Sequence, residues 1–253
     1  MSGASRGLPR PLARPGSSAR GIAPLLLLLL WPLLRPLGAA ASCPCQDPAL
    51  CQPIRNHSNF EVFVFDVGGK TWKSYDWSQI TTVALFGKYD SELMCYAHSK
   101  GARVVLKGDV SLKDIINPHF RTSWIAQQVN LAKTQYMDGI NIDIEQEVTC
   151  PSPEYDALTA LVKETTDSFH REIEGSQVTF DVAWSPKCID RRCYNYTGIA
   201  DACDFLFVMS YDEQSQVWSE CIGMWNANCL DYSGDAVAKQ QTEEMWEALK
   251  PKL

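Results

Sequence analysis

Six short runs rich in apolar and β-branched residues, separated by longer stretches with helical spacing, constrain the fold of this chain more than any other feature. The runs are Glu61 to Val67, Thr82 to Phe86, Arg103 to Lys107, Gly139 to Ile144, Val178 to Trp184 and Phe205 to Met209. Strands that alternate with crossover helices pair in parallel, so the pattern predicts an α/β fold built on a parallel sheet. Between the runs, Ile125, Val129, Ala132 and Tyr136 repeat at helical spacing, as do Leu158, Leu161, Val162, Phe169 and Ile173. Ser152 followed by Pro153 predicts the start of the second helix, because serine caps a free amide and proline fills a first-turn position that needs no donor. A seventh strand at Ile222 to Trp225 and a last helix from about Asp235, burying Met245 and Leu249, complete the expected set.

This order of elements fits a TIM-type β/α barrel, which takes about 250 residues and rarely fewer than 200. The gap from Met209 to Ile222 holds 12 residues, whereas a strand, crossover helix and strand need about 30. The barrel is therefore expected to be shortened by one βα unit before its last strand, near residues 221–223, as in an internally truncated or alternatively spliced form.

The chain has 253 residues, 45% of them hydrophobic and 21% charged, enough for one domain with a substantial core. Its first 41 residues read differently. Arg6, Arg10, Arg14 and Arg20 precede the apolar run Ile22 to Leu34, and small residues Gly38 to Ser42 follow. That order is a secretory signal peptide, with cleavage expected near Ala41. Pro32 and Arg35 interrupt the run before the roughly 20 residues a membrane span needs, so no membrane association is expected after its removal. The barrel domain then covers residues 42–253 and is expected to be a monomer.

The five arginines before Ser42 leave with the signal, so Lys+Arg falls from 23 to 18 against 30 acids and the net charge moves from -7 to -12. Such a chain repels phosphate backbones, which argues against a nucleic-acid partner but says little about a small neutral ligand. Ten cysteines in an oxidising compartment imply disulfides whose connectivity the spacing leaves open. Neither C-x-x-C nor paired Cys/His spacing occurs, so no metal site is expected. Asn56-His57-Ser58 and Asn195-Tyr196-Thr197 fit the glycosylation pattern.

The densest chemical signal is Asp138-Gly139-Ile140-Asn141-Ile142-Asp143-Ile144-Glu145. Strand side chains alternate between faces, so Asn141, Asp143 and Glu145 point to the barrel axis while three isoleucines point to the helices. Carboxyl groups packed on a barrel interior resist ionisation through desolvation and mutual repulsion. A proton held there supplies a general acid, and the end of a barrel strand is where such enzymes work. A solvated edge strand is the plain alternative, but an edge would not carry three isoleucines in strict alternation on its other face.

Asp138 to Glu145 resembles the D-G-x-D-x-D-x-E signature of glycoside hydrolase family 18, the chitinase-like group. Met209-Ser210-Tyr211-Asp212 is similar to that family's M-x-Y-D segment, and Trp225 to its last-strand tryptophan. Phe60 to Asp66 and Lys70 to Trp77 extend the likeness, which runs from about Cys43 to Cys221 and resumes at Gly223. The resemblance implies retaining hydrolysis of β-1,4-linked N-acetylglucosamine oligosaccharides by substrate assistance, without metal or organic cofactor. Glu145 is then the proton donor, Asp143 orients the substrate's acetamido group, and Tyr211 bonds its oxygen. Asp138, Asn141, Met209, Asp212 and Trp225 belong to the substrate site, with Trp225 as the floor of the sugar subsite. Delivery to the lysosome is implied by the same likeness. Trp184 is expected in the core, and His57, His98, His119 and His170 form no ligand or triad spacing.

Two departures accompany the likeness. Asn141 stands where the family has an aspartate; it is expected to hydrogen-bond Asp143 and to alter the pH profile. Leu106-Lys107-Gly108-Asp109 replaces the usual Ser-x-Gly-Gly and is read as more structural than catalytic. The alternatives to an enzyme are a silent sugar-binding relative, which would typically lack the acid that Glu145 supplies, and a truncated product without independent function.

Overall fold

The structure, a computed structural model, describes residues 42–55, 60–185 and 188–210. The predicted signal peptide, the seventh strand, the last helix and the shortened junction lie outside the described residues, as do Asn56, Tyr211, Asp212 and Trp225.

Within the described chain, β1 (Phe63–Asp66), β2 (Thr82–Leu85), β3 (Arg103–Gly108), β4 (Gly139–Ile142), β5 (Gln177–Val182) and β6 (Phe205–Val208) form one sheet. The strands lie in sequence order, each parallel to the next, as the alternation of runs and helical patterns predicts. The connecting helices are α1 (Ser91–Ser99), α2 (Leu112–Ile115), α3 (Pro118–Gln135), α4 (Pro153–Glu172) and α5 (Tyr196–Ala202). Ser152 caps α4 as expected, its hydroxyl accepting from Tyr155 N at 3.2 Å with Pro153 in the first turn. Asn117 and Pro118 start α3 in the same way.

The two faces of the sheet differ as period two requires. Val83, Leu85, Val104, Leu106, Ile140, Ile142, Val178, Phe180 and Val182 belong to one hydrophobic cluster with Trp124, Ile125, Val129, Leu158, Leu161, Val162 and Phe169 from α3 and α4. Each fully buried isoleucine of β4 stabilises this layer by about 2 kcal/mol. The other face carries Lys107, Asn141, Thr179 and Asp181. It also holds Phe63 and Phe65 on β1 and Phe205 and Phe207 on β6. Phe63 lies 5.8 Å from Phe205, and Phe65 lies 4.7 Å from Phe207. The first and sixth strands are the ends of an open sheet, yet their side chains meet across its inner face, so the sheet is curled like the wall of a barrel.

At the N-terminal ends of the strands, residues 43–55 are tied to the sheet and α1. Cys43 bonds Cys51 and Cys45 bonds Cys95. Leu50 O accepts from His98 Nδ1 at 2.6 Å, and Ile54 N donates to Asp138 Oδ1 at 2.8 Å. Among the described residues no helix is long and apolar enough to cross a membrane.

Candidate active site

The eight residues from Asp138 to Glu145 serve two ends of one strand. Asp138 precedes β4, is fully buried, and uses both carboxylate oxygens locally. Oδ1 accepts from Ile54 N, and Oδ2 accepts from Val104 N and faces His98 Nε2, each at 2.8 Å. The expectation that Asp138 belongs to the substrate site is therefore corrected. Its oxygens are consumed at the end of the sheet opposite Glu145. Both nitrogens of His98 face acceptors. Burial opposes charge on the imidazole, but the Asp138 hydrogen bond and charge, with the Leu50 carbonyl, outweigh it and raise the His98 pKa above 6.5.

Gly139 brings β4 against β5 closely enough that a Cβ there would lie 1.9 Å from Gln177 O. Asn141 follows on the inner face, fully buried. Its Nδ2 donates to Thr179 Oγ1 and Asp181 Oδ1, both at 2.8 Å. The expected bond from Asn141 to Asp143 is thus not formed, because both amide hydrogens are directed to β5. Asn141 Oδ1 and Asp143 Oδ1 are buried without a hydrogen-bond partner.

Regular pairing ends at Ile142, two residues before the predicted end, yet alternation persists. Asp143 N still donates to Gly108 O, Asp143 and Ile144 are buried, and Glu145 emerges with its side chain 48% exposed. Lys107 Nζ lies 3.0 Å from Asp143 Oδ2 and 4.7 Å from the Phe86 ring centroid. Burial opposes its charge, but the Asp143 hydrogen bond and the charges of Asp143, Asp109 and Glu145 raise the Lys107 pKa. The third-strand segment, read as more structural than catalytic, thus holds Asp143 through Lys107. Arg192 Nη1 sits 3.0 Å from Glu145 Oε2, at ion-pair distance without hydrogen-bond alignment.

The segment that carries Glu145 is braced on both sides. Tyr194 Oη lies 2.9 Å from Ile144 O and 2.7 Å from Gln146 O, the carbonyls flanking the acid. Gln146 accepts from Leu112 N and donates to Val110 O. Val148 N donates to Arg191 O, and Cys193 N to Val148 O. Burial drives the Tyr194 pKa far up, so the phenol keeps the proton that makes this contact. No signal in the sequence marks Tyr194. Asp181 is a lone charge in an apolar run, and that oddity could have found it, whereas Lys107 shares its run with Arg103.

Met209 is buried past the end of β6, with its amide donating to Val182 O. Trp184 is buried as expected. Asn195 caps α5 by accepting from Gly198 N at 3.1 Å through Oδ1. His119 and His170 are on the surface, with His170 3.1 Å from Asp204. A groove on the helical side between α3 and α4 is lined by Ile125, Val129, Lys133, Glu164 and Arg171, and no motif residue reaches it. The site therefore brings together Asn141, Asp143 and Glu145 with Lys107, Asp181, Arg192 and Tyr194. One partly exposed carboxyl stands beside one buried, cation-paired carboxylate, an arrangement suited to proton donation next to a fixed negative charge.

Residues 54–244 match the family Glycosyl hydrolases family 18. Di-N-acetylchitobiase of Homo sapiens is 54% identical over 375 positions, covering 96% of this chain and 97% of that protein. That match exceeds the 253-residue chain by more than a hundred positions and so crosses a long gap. Di-N-acetylchitobiase of Rattus norvegicus is 82% identical over 203 residues, 80% of this chain and 55% of that protein. The chain thus spans about half the length of the rat relative. Among solved structures, a mutant class V chitinase from Nicotiana tobaccum in complex with NAG4 superposes with a TM-score of 0.56 at 14% identity, covering 73% of this chain and 61% of that one. This last likeness is one of fold.

Proposed function

Because this chain belongs to glycosyl hydrolase family 18, we propose that it is a glycosidase acting on oligosaccharides of β-1,4-linked N-acetylglucosamine, with Glu145 as its acid. The observation that carries the reading is the pair at the end of β4: Glu145 partly exposed, and Asp143 buried one pleat below it and held by Lys107. Glu145 would protonate the glycosidic oxygen while the 2-acetamido oxygen of the same sugar attacks the anomeric carbon. The acetamido nitrogen then gains positive character, and the carboxylate of Asp143, whose Oδ1 lacks a donor, would accept its N–H. Water, activated by the Glu145 carboxylate, would open the intermediate and return the proton. Arg192 lies against Oε2 of Glu145, so the proton would be carried on Oε1.

Tyr211, Asp212 and Trp225 would complete the sugar subsite, the first by bonding the acetamido oxygen and the last by stacking under the pyranose ring. Retention of Glu145 favours this reading over a silent sugar-binding relative. The signal-like first 41 residues support entry into the secretory pathway, and the likeness to chitobiases supports a lysosomal destination.

The test is release of N-acetylglucosamine from N,N′-diacetylchitobiose and chitotriose by the chain lacking residues 1–41, with Glu145→Gln alongside. Turnover by the wild type that falls at least a thousandfold in the variant is expected. Equal turnover by both would remove Glu145 from the mechanism, and none by either would leave a sugar-binding or inactive chain.

A further inference from the structure

Among the described residues, three carboxyl groups converge at the end of β4 and β5, and the structure supplies cations for two. Asp143 has Lys107 at 3.0 Å and Glu145 has Arg192 at 3.0 Å. Asp181, only 2% exposed, has no cation within ion-pair distance among the described residues; its hydrogen-bond partner is the Asn141 amide. In the β5–β6 register it pairs with Phe207, so its other flank is aromatic. The same Asn141 amide reaches Thr179, one pleat back on β5, which ties the inner faces of the two strands together.

We propose that Asp181 is a positioning residue of this acid row: from the neighbouring strand it fixes the Asn141 carboxamide and carries the row's unpaired proton, so that Asp143 alone is the anion held by Lys107. An unpaired buried carboxyl keeps its proton because charge without a counterion is costly there. Burial pushes the Asp181 pKa up to about 8, and the negative charges of Asp143 and Glu145 act in the same direction; the Asn141 hydrogen bond and Lys107 oppose them. These groups come from β4 with the residues that follow it and from β3, and β6 contributes Phe207 beside it. When Asp181 ionises, two carboxylates compete for Lys107 and the charge beneath the substrate's acetamido group is no longer confined to Asp143. Asp181 thereby sets an alkaline limit on sugar binding. This step rests on the reading of the row as the site for a 2-acetamido sugar.

The test uses the full chain labelled with 13C at the aspartate carboxyl carbons, titrated by NMR from pH 4 to 10. Binding of N,N′-diacetylchitobiose is measured by calorimetry on the same samples. One resonance is expected to titrate near pH 8, to vanish in Asp181→Asn, and to titrate lower in Asp143→Asn, where a neighbouring negative charge is gone. Sugar affinity is expected to fall about tenfold per pH unit above that midpoint in the wild type and to stay level in Asp181→Asn. A carboxyl resonance set without a titration above pH 6, or one unchanged in Asp181→Asn, overturns the proposal, as does an alkaline fall in affinity that persists in Asp181→Asn. Failure of the wild type to hydrolyse chitobiose while the titration is seen would instead overturn the functional reading, since the NMR signal reports the proton without turnover.

Discussion

Tyr194 acts on Glu145 without touching it. Its hydroxyl lies between the carbonyls of Ile144 and Gln146, so the backbone on either side of the acid is fixed by one phenol from the loop after β5. A buried hydrogen bond is worth about 1 kcal/mol, and a lost carbonyl partner costs a comparable amount. Tyr194→Phe is therefore expected to lower kcat roughly tenfold on chitobiose with KM little changed, because the acid is displaced and the sugar subsite is not. Equal losses in kcat and in affinity would count against a role in aiming the acid. Single residues of this kind show how far the sequence speaks. The alternation of Asn141, Asp143 and Glu145 with isoleucines is local, so it is legible from the octapeptide. The destination of the Asn141 amide is not, because it depends on β4–β5 register, which places Thr179 opposite Asn141. Asp181 is visible as a lone charge in an apolar strand and Lys107 as a charge at the end of one, but only pairing between strands says what they meet.

As an element, β4 shows why a glycine follows the first aspartate of the motif. Gly139 approaches Gln177 so closely that Gly139→Ala would force a methyl group into the carbonyl oxygen, and the strands would have to part. The variant is expected to lose about 3 kcal/mol, within the range for overpacked or strained core sites, and sugar binding with it. Stability within 1 kcal/mol of wild type, read from urea unfolding, would show that the strands shift at little cost. The helix ends were easier to anticipate, since the Ser152–Pro153 signal acts within one turn. Ser152→Ala should cost about 1 kcal/mol by leaving the Tyr155 amide without its acceptor. The predicted end of β4 lay two residues late because hydrophobic alternation outlasts the ladder: Ile144 is still buried after regular pairing has stopped. Periodicity reports which face is buried, not which backbone groups are paired.

On the scale of the whole molecule, the motif joins the chemistry at one end of the sheet to a closure at the other. Residues 43–55 are fastened there by Cys45–Cys95, by the Leu50 carbonyl and by the Ile54 amide, and the last two converge on His98 and Asp138. Three groups, the Ile54 and Val104 amides and the His98 imidazole, meet around one buried carboxylate, which is why no spacing rule announced His98 as functional. Closing a loop of 50 residues through Cys45–Cys95 adds about 4 kcal/mol by the chain-entropy model, but that term does not depend on protonation. The His98–Asp138 pair does. With its folded pKa raised above 6.5, His98 contributes stability that is complete below that value and is lost as pH rises through the folded one. His98→Asn removes the cation and leaves Asp138 buried with its two backbone donors, at a cost of about 3 kcal/mol for a broken buried pair. The gap in Tm between wild type and variant is therefore expected to be about 6–12 °C at pH 5.5 for a domain of this size, and to narrow by pH 9 as the wild-type imidazole gives up its proton. A constant gap from pH 5.5 to 9 would mean that His98 is neutral in the folded chain. A gap that narrows would mean that the closure at the base of the sheet is firmest under mildly acidic conditions.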